Sequence, residues 1–122
     1  MSTSSPEGPC HGGCDCGAVR FELDVAPTVV NECDCSFCRK LGMLWAYFPP
    51  TSFRLVAGTD ASASYTRGDK VIAFRFCPRC GCMVSWEALP DRDIFADGSP
   101  PKVGVNARLI EGLDARKLPR MA

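Results

Sequence analysis

Apolar and polar residues alternate from Gly17 to Val25, so that Val19, Phe21, Leu23 and Val25 would share one face of a β-strand. Pro27 ends that run, and Val29 and Val30 open a second short strand leading to Cys33. Residues 44–48 read as a strand stopped by Pro49 and Pro50. Residues 53–56, 63–66, 71–76, 83–88 and 103–107 are further strands, with Val84 and Trp86 on one face of the fourth of these. Gly58 and an Arg67-Gly68-Asp69 turn punctuate them. Two stretches break the period of two: residues 36–41, ended by Gly42, and residues 109–113, each expected as a short helical turn. Residues 89–101 read as a long loop. Many short strands between turn residues predict a mainly β fold.

Composition narrows this picture. The 122 residues suit one domain, expected over residues 10–122 behind a flexible tail at residues 1–9. A chain of this length buries about two-thirds of the surface its unfolded form exposes, enough for a core. Ten Pro and eleven Gly argue against long helices. Lys plus Arg equals Asp plus Glu at 14 each, without the basic excess of a nucleic-acid-binding surface. The first nine residues have neither the basic start nor the apolar run of a secretory signal. The longest apolar stretch, residues 43–50, is far shorter than the roughly 20 residues of a membrane helix. A cytoplasmic protein with no membrane partner is therefore expected, in a compartment that keeps thiols reduced.

The nine cysteines then carry the chemistry. Their number is odd and no export signal precedes them, which favours metal binding over disulfides. They fall into three groups: Cys10, Cys14 and Cys16; Cys33, Cys35 and Cys38; Cys77, Cys80 and Cys82. Pairs one or two residues apart can put both sulfurs on one tetrahedral Zn2+ at about 2.3 Å. Gly17 and Gly81 follow two of these pairs and free the tight turn a metal knuckle needs. The economical partition makes Cys14, Cys16, Cys77 and Cys80 a closed four-thiolate site that ties the start of the domain to its last third. Cys33, Cys35 and Cys38 then form a three-thiolate site with an open position, the arrangement of catalytic zinc. Spacing alone allows equally that Cys82 or Cys10 completes it as a second structural site. A redox dithiol at Cys35 and Cys38 lacks the surrounding α/β pattern. His11, the sole histidine, reads as a solvated or hydrogen-bonded loop side chain rather than a ligand. Cys10 and Cys82 read as buried or peripheral thiols rather than nucleophiles.

Residues 11–21 (HGGCDCGAVRF), 33–42 (CDCSFCRKLG), 76–81 (FCPRCG) and 104–109 (GVNARL) resemble the glutathione-dependent formaldehyde-activating enzymes, a family that shares its domain with a centromere protein. The resemblance covers about residues 11–110. It implies a β-tent fold of small antiparallel sheets joined through zinc. It also implies one structural Zn2+ on Cys14, Cys16, Cys77 and Cys80, and one catalytic Zn2+ on Cys33, Cys35 and Cys38. The implied activity is that of a carbon–sulfur lyase joining formaldehyde and glutathione to S-hydroxymethylglutathione, so the expected partner is a small-molecule thiol such as glutathione. The alternatives are the same chemistry on another thiol, and a zinc-stabilised binding module without catalysis.

Three thiolates on one Zn2+ leave a net charge of about −1, which suits holding and deprotonating a substrate thiol better than generating hydroxide. Arg39 and Lys40 follow the open site and could receive a substrate carboxylate. Trp45, Tyr47 and Phe48 could wall a pocket or simply pack the core, and Trp86 with Glu87 could add a wall and a proton carrier.

Overall fold

In the computed structural model, which describes residues 9–66, 72–89, 98 and 100–121, the alternation near the start of the chain becomes a half-buried strand. Phe21 and Leu23 are fully buried and Glu22 between them is exposed. This strand, β2 (Arg20–Leu23), is central to an antiparallel three-stranded sheet with β1 (Cys10–Gly13) and β4 (Phe53–Ala57) on its two sides. A second antiparallel sheet has the order β3 (Trp45–Phe48), β8 (Val103–Asn106), β7 (Met83–Ala88), β6 (Ile72–Phe76), β5 (Ala63–Thr66). One helix, α1 (Ser36–Leu41), and three 3-10 turns (Pro50–Ser52, Ala107–Leu109, Ala115–Lys117) complete the described elements. The fold is mainly β and built of small antiparallel sheets, as expected. Among the described residues no helix is long and apolar enough to cross a membrane.

The five-stranded sheet is covered on both faces. Val19, Phe21 and Leu23 pack with Ala46, Phe48, Val84, Val103 and Val105 in one core shared by the two sheets. Trp45, Phe74 and Trp86 form a separate layer with Cys38 and Met43, against which Phe37 and Tyr47 pack. Period-two alternation explains the division, because Trp45 and Tyr47 join one layer while Ala46 and Phe48 join the other. Gly104 makes room for this second layer: a Cβ there would lie 1.9 Å from the Trp86 indole nitrogen.

Several expectations need correction. Strand β2 stops at Leu23, and Val25 is 40% exposed instead of sharing its buried face. Val30 and Asn31 make only isolated bridges, to Arg120 and Trp45. The turn expected at residues 109–113 comes earlier, at Ala107–Leu109, because Ile110 is drawn into a bridge with Gly12. Strand β1 was not expected. Residues 1–8, the Arg67-Gly68-Asp69 turn, Val71 and most of the 89–101 loop lie outside the described residues.

Candidate metal centres

None of the nine cysteines is in a disulfide. Seven of them gather in two groups, Cys14, Cys16, Cys77 and Cys80, and Cys33, Cys35 and Cys38, with all sulfurs within each group lying within 4.8 Å of one another. These are the seven residues singled out from spacing.

The four-thiol group is built from two similar hairpin turns. Cys14 and Cys16 occupy the β1–β2 turn, closed by Gly17 N–H donating to Cys14 O at 3.1 Å. Cys77 and Cys80 occupy the β6–β7 turn, closed by Gly81 N–H donating to Cys77 O at 2.8 Å. Gly17 and Gly81 both have φ of 82°, a left-handed backbone that glycine adopts without steric cost. The two turns come from different sheets, so this group joins them. Its Cys14–Cys16 and Cys16–Cys77 sulfur distances are 3.7 and 3.6 Å. A tetrahedron of sulfurs at about 2.3 Å from a central Zn2+ has edges of about 3.8 Å, so the donor set is compatible with zinc.

The electrostatics point the same way. Burial works against ionisation of Cys14, yet the Val19 N–H, 3.3 Å from its sulfur, and the Cys16 and Cys77 thiols outweigh it and hold its pKa below the usual thiol value. Backbone N–H groups of Cys16 and Cys82 lower Cys80 to about 6. The Ala18 N–H favours the Cys16 thiolate, but desolvation and the crowding by Cys77 and Cys14 push it up to about 11. Crowded sulfurs that set one another's ionisation in this way are what a bound cation would relieve.

The three-thiol group is organised by α1. Cys35 is its N-cap, and its sulfur accepts from Cys38 N–H at 3.4 Å. Cys38, buried in the helix, accepts from Trp45 Nε1–H at 3.2 Å. Burial, joined by Cys35 and Cys33, pushes the Cys38 thiol up to about 12 against the downward pull of the indole. This group adjoins a cavity of about 380 Å³ whose walls include Glu32, Cys33, Asp34, Cys38, Arg39 and Arg120. Glu32 is tied to Arg120 at 2.9 Å. Arg39 and Asp34 make no ion pair among the described residues.

The other expected site residues divide. Trp45 is core at 2% exposure and donates its indole N–H to the Cys38 sulfur rather than walling a pocket. Tyr47 and Phe48 together line two other cavities, one of which shares Met121 with the three-thiol one. Glu87 is no proton carrier for this site, because it points to the Arg75 guanidinium at 3.2 Å. His11 pairs with Glu111 at 3.1 Å and joins neither thiol group. Cys10 and Cys82 pack against the shared core and belong to neither group. Glu32, Arg120 and Met121 were not anticipated. The acidic residues flanking Cys33 were a usable signal, whereas Arg120 and Met121 reach the cavity only through the tertiary bridge to Val30.

A family model described as glutathione-dependent formaldehyde-activating enzyme matches residues 9–109 of this chain. Among solved structures, the crystal structure of a Rhodobacter sphaeroides protein is similar, with 29% sequence identity and a TM-score of 0.73. The match covers 91% of this chain and 99% of that one.

Proposed function

The chain belongs to the glutathione-dependent formaldehyde-activating enzyme family, and from that premise we propose that it is a zinc-dependent enzyme of the carbon–sulfur lyase type. In this reading it joins a small carbonyl compound to a thiol and reverses that step, with formaldehyde and glutathione as the pair the family suggests. Cys14, Cys16, Cys77 and Cys80 hold a structural zinc, and Cys33, Cys35 and Cys38 hold a catalytic one. The supporting observation is the contrast between the groups. Four protein sulfurs gather in the first, enough for a tetrahedral shell, while only three gather in the second, beside a cavity of about 380 Å³. Seven thiols kept as metal ligands need a reducing compartment, and for that reason we assign the protein to the cytoplasm.

Zinc held by the three-thiol group supplies a cation that favours the thiolate form of an incoming thiol. The chain's own residues do the rest. Cys38 N–H holds the Cys35 sulfur and Trp45 Nε1–H holds the Cys38 sulfur, so both donors are oriented before substrate arrives. Arg39 on the cavity wall offers its guanidinium fork to a carboxylate of the thiol substrate. In the forward direction the S–C bond forms, the carbonyl π bond breaks, and the thiol proton ends on the new hydroxyl oxygen. Asp34, exposed at the cavity, is the group we assign to carry that proton. Holding the two reactants side by side is the main source of rate.

Metal stoichiometry tests this reading. We expect two zincs per chain, with the one on Cys33, Cys35 and Cys38 more easily removed by chelator. Cys35→Ser should keep the fold and abolish thiol–formaldehyde turnover. A single chelation-resistant zinc, with Cys33, Cys35 and Cys38 freely alkylated, would instead describe a zinc-stabilised binding module.

A further inference from the structure

A second cavity, of about 600 Å³, adjoins the three-thiol cavity and differs from it in chemistry. Its walls include Val25, Pro27, Val29, Tyr47, Phe48 and Met121, and none of its lining side chains is charged. The first cavity, by contrast, carries Glu32, Asp34, Arg39 and Arg120. Met121 is a wall of both. The backbone pins that shared wall: Met121 N–H donates to Val30 O at 2.8 Å, and Val30 N–H donates to Pro119 O at 3.0 Å. At the inner end, Tyr47 packs in the same side-chain layer as Cys33, Cys35 and Cys38. Its hydroxyl oxygen accepts from Asn31 Nδ2 at 2.6 Å.

Half of the large exposed apolar side chains among the described residues gather here. Of the six large apolar side chains exposed among the described residues, Val25, Val29 and Met121 line this one trough. Scattered exposed apolar residues need no explanation, but a contiguous set marks a binding surface. An apolar concavity that shares the Met121 wall with a polar, thiol-lined one fits a ligand that has a reactive head and an apolar tail.

We propose that this trough is a second subsite of the three-thiol centre and receives the apolar substituent of the thiol or thiol adduct bound there. The inference rests on the three-thiol group binding a thiol, as argued above. It extends the substrate class from adducts of one-carbon carbonyls to thiols and thiohemiacetals that bear an alkyl chain. Met121, between the two cavities, becomes a specificity-determining residue.

The test uses the zinc-loaded full chain and reads binding by tryptophan fluorescence. The probes are ethanethiol, butanethiol and hexanethiol, with glutathione in parallel. A fully buried methylene contributes about 0.8 kcal/mol, or about fourfold in Kd, and a half-open trough about twofold. The Kd is expected to fall by about two- to fourfold per added methylene, and Val29→Asp to flatten that dependence. Graded alkanethiol binding without glutathione binding leaves the trough in place and removes glutathione as the substrate. Glutathione binding with no chain-length dependence overturns the trough and leaves the proposed function standing, as does a slope that Val29→Asp leaves unchanged. Binding of no thiol at all overturns both. The wild-type slope decides against the trough even if the variant does not fold.

Discussion

Replacing Trp45 by Phe tests the three-thiol centre without touching a ligand. The change removes the Nε1–H donor that lies 3.2 Å from the Cys38 sulfur and keeps an aromatic ring in its place. Cys38 is only 3% exposed, so water cannot easily substitute for the lost donor. With the indole in place that thiol is already pushed up to about 12, chiefly by burial, and the substitution removes the contact that pulls the other way. A hydrogen bond to a charged acceptor contributes about 1.5–3 kcal/mol, which corresponds to roughly 10- to 150-fold in zinc affinity. Outer-shell donors to metal ligands typically account for about 10–100-fold, in agreement. The smaller ring also buries roughly 40 Å² less apolar surface, about 1 kcal/mol of stability, which is small beside the 5–15 kcal/mol of a typical domain. Competitive titration of the zinc-loaded protein with a chromophoric chelator would resolve the two proposed metals. The weaker zinc should lose about 10–100-fold in affinity while the tighter one stays within about twofold. Equal weakening of both would mean that Trp45 acts only through general stability, and no change in either would refute the role of the indole.

Two further perturbations follow from the same layer and from the C-terminal turn. Gly104→Ala forces Trp86 off the sheet, since the added Cβ would meet its indole nitrogen at 1.9 Å. Overpacking of this kind costs about 1–3 kcal/mol, so thermal melting at fixed zinc should show Tm lowered by about 4–12 °C, and an unchanged Tm would refute the close packing. Asp114 accepts from Arg116 N–H at 3.1 Å and pairs with its guanidinium, which holds the carboxyl down to about 2 from the usual 3.8. A carboxylate depressed in the folded state contributes fully above its unfolded pKa and loses that contribution as pH falls through the folded one. The stability difference between wild type and Asp114→Asn should therefore hold from neutral pH to about 4 and vanish towards about 2. Denaturant titrations at several pH values check this, and a difference that grows on acidification would contradict it.

Several strands were legible as short apolar-rich runs bounded by turn residues and prolines. Residues 44–48, 63–66 and 83–88 follow their patterns closely, with β3 (Trp45–Phe48), β5 (Ala63–Thr66) and β7 (Met83–Ala88) observed. Strand β1 was not legible, because Gly12 and Gly13 are poor strand formers. Gly12 is required there by a distant residue: a Cβ would lie 2.2 Å from the Leu109 carbonyl oxygen. Val25 misled for the opposite reason. Its alternation is regular, but the chain turns after Leu23, with Asp24 N–H donating to Ser52 O and its carboxylate pairing with Arg54. Local pattern cannot see partners 30 or 100 residues away, and the walls contributed by Arg120 and Met121 stayed hidden for the same reason.

The cysteine groups show where spacing ends and topology begins. From spacing, Cys10 or Cys82 could have completed the three-thiol set. Both pack instead against the core shared by the two sheets, on the side of Cys14, Cys77 and Cys80. Cys33, Cys35 and Cys38 pack with the layer of Trp45, Phe74 and Trp86. Strand β3 separates these environments, because its successive side chains alternate between them. Cys82 even sits close enough to Cys80 for the two thiols to perturb each other, while Cys33, Cys35 and Cys38 gather no fourth Cys, His, Asp or Glu among the described residues. The absence of a fourth thiol from this group therefore does not arise from a shortage of thiols in the chain. It arises because the pleat of the five-stranded sheet keeps the spare thiols in the other layer, so adding cysteines near Cys82 would crowd the closed group without filling the open one.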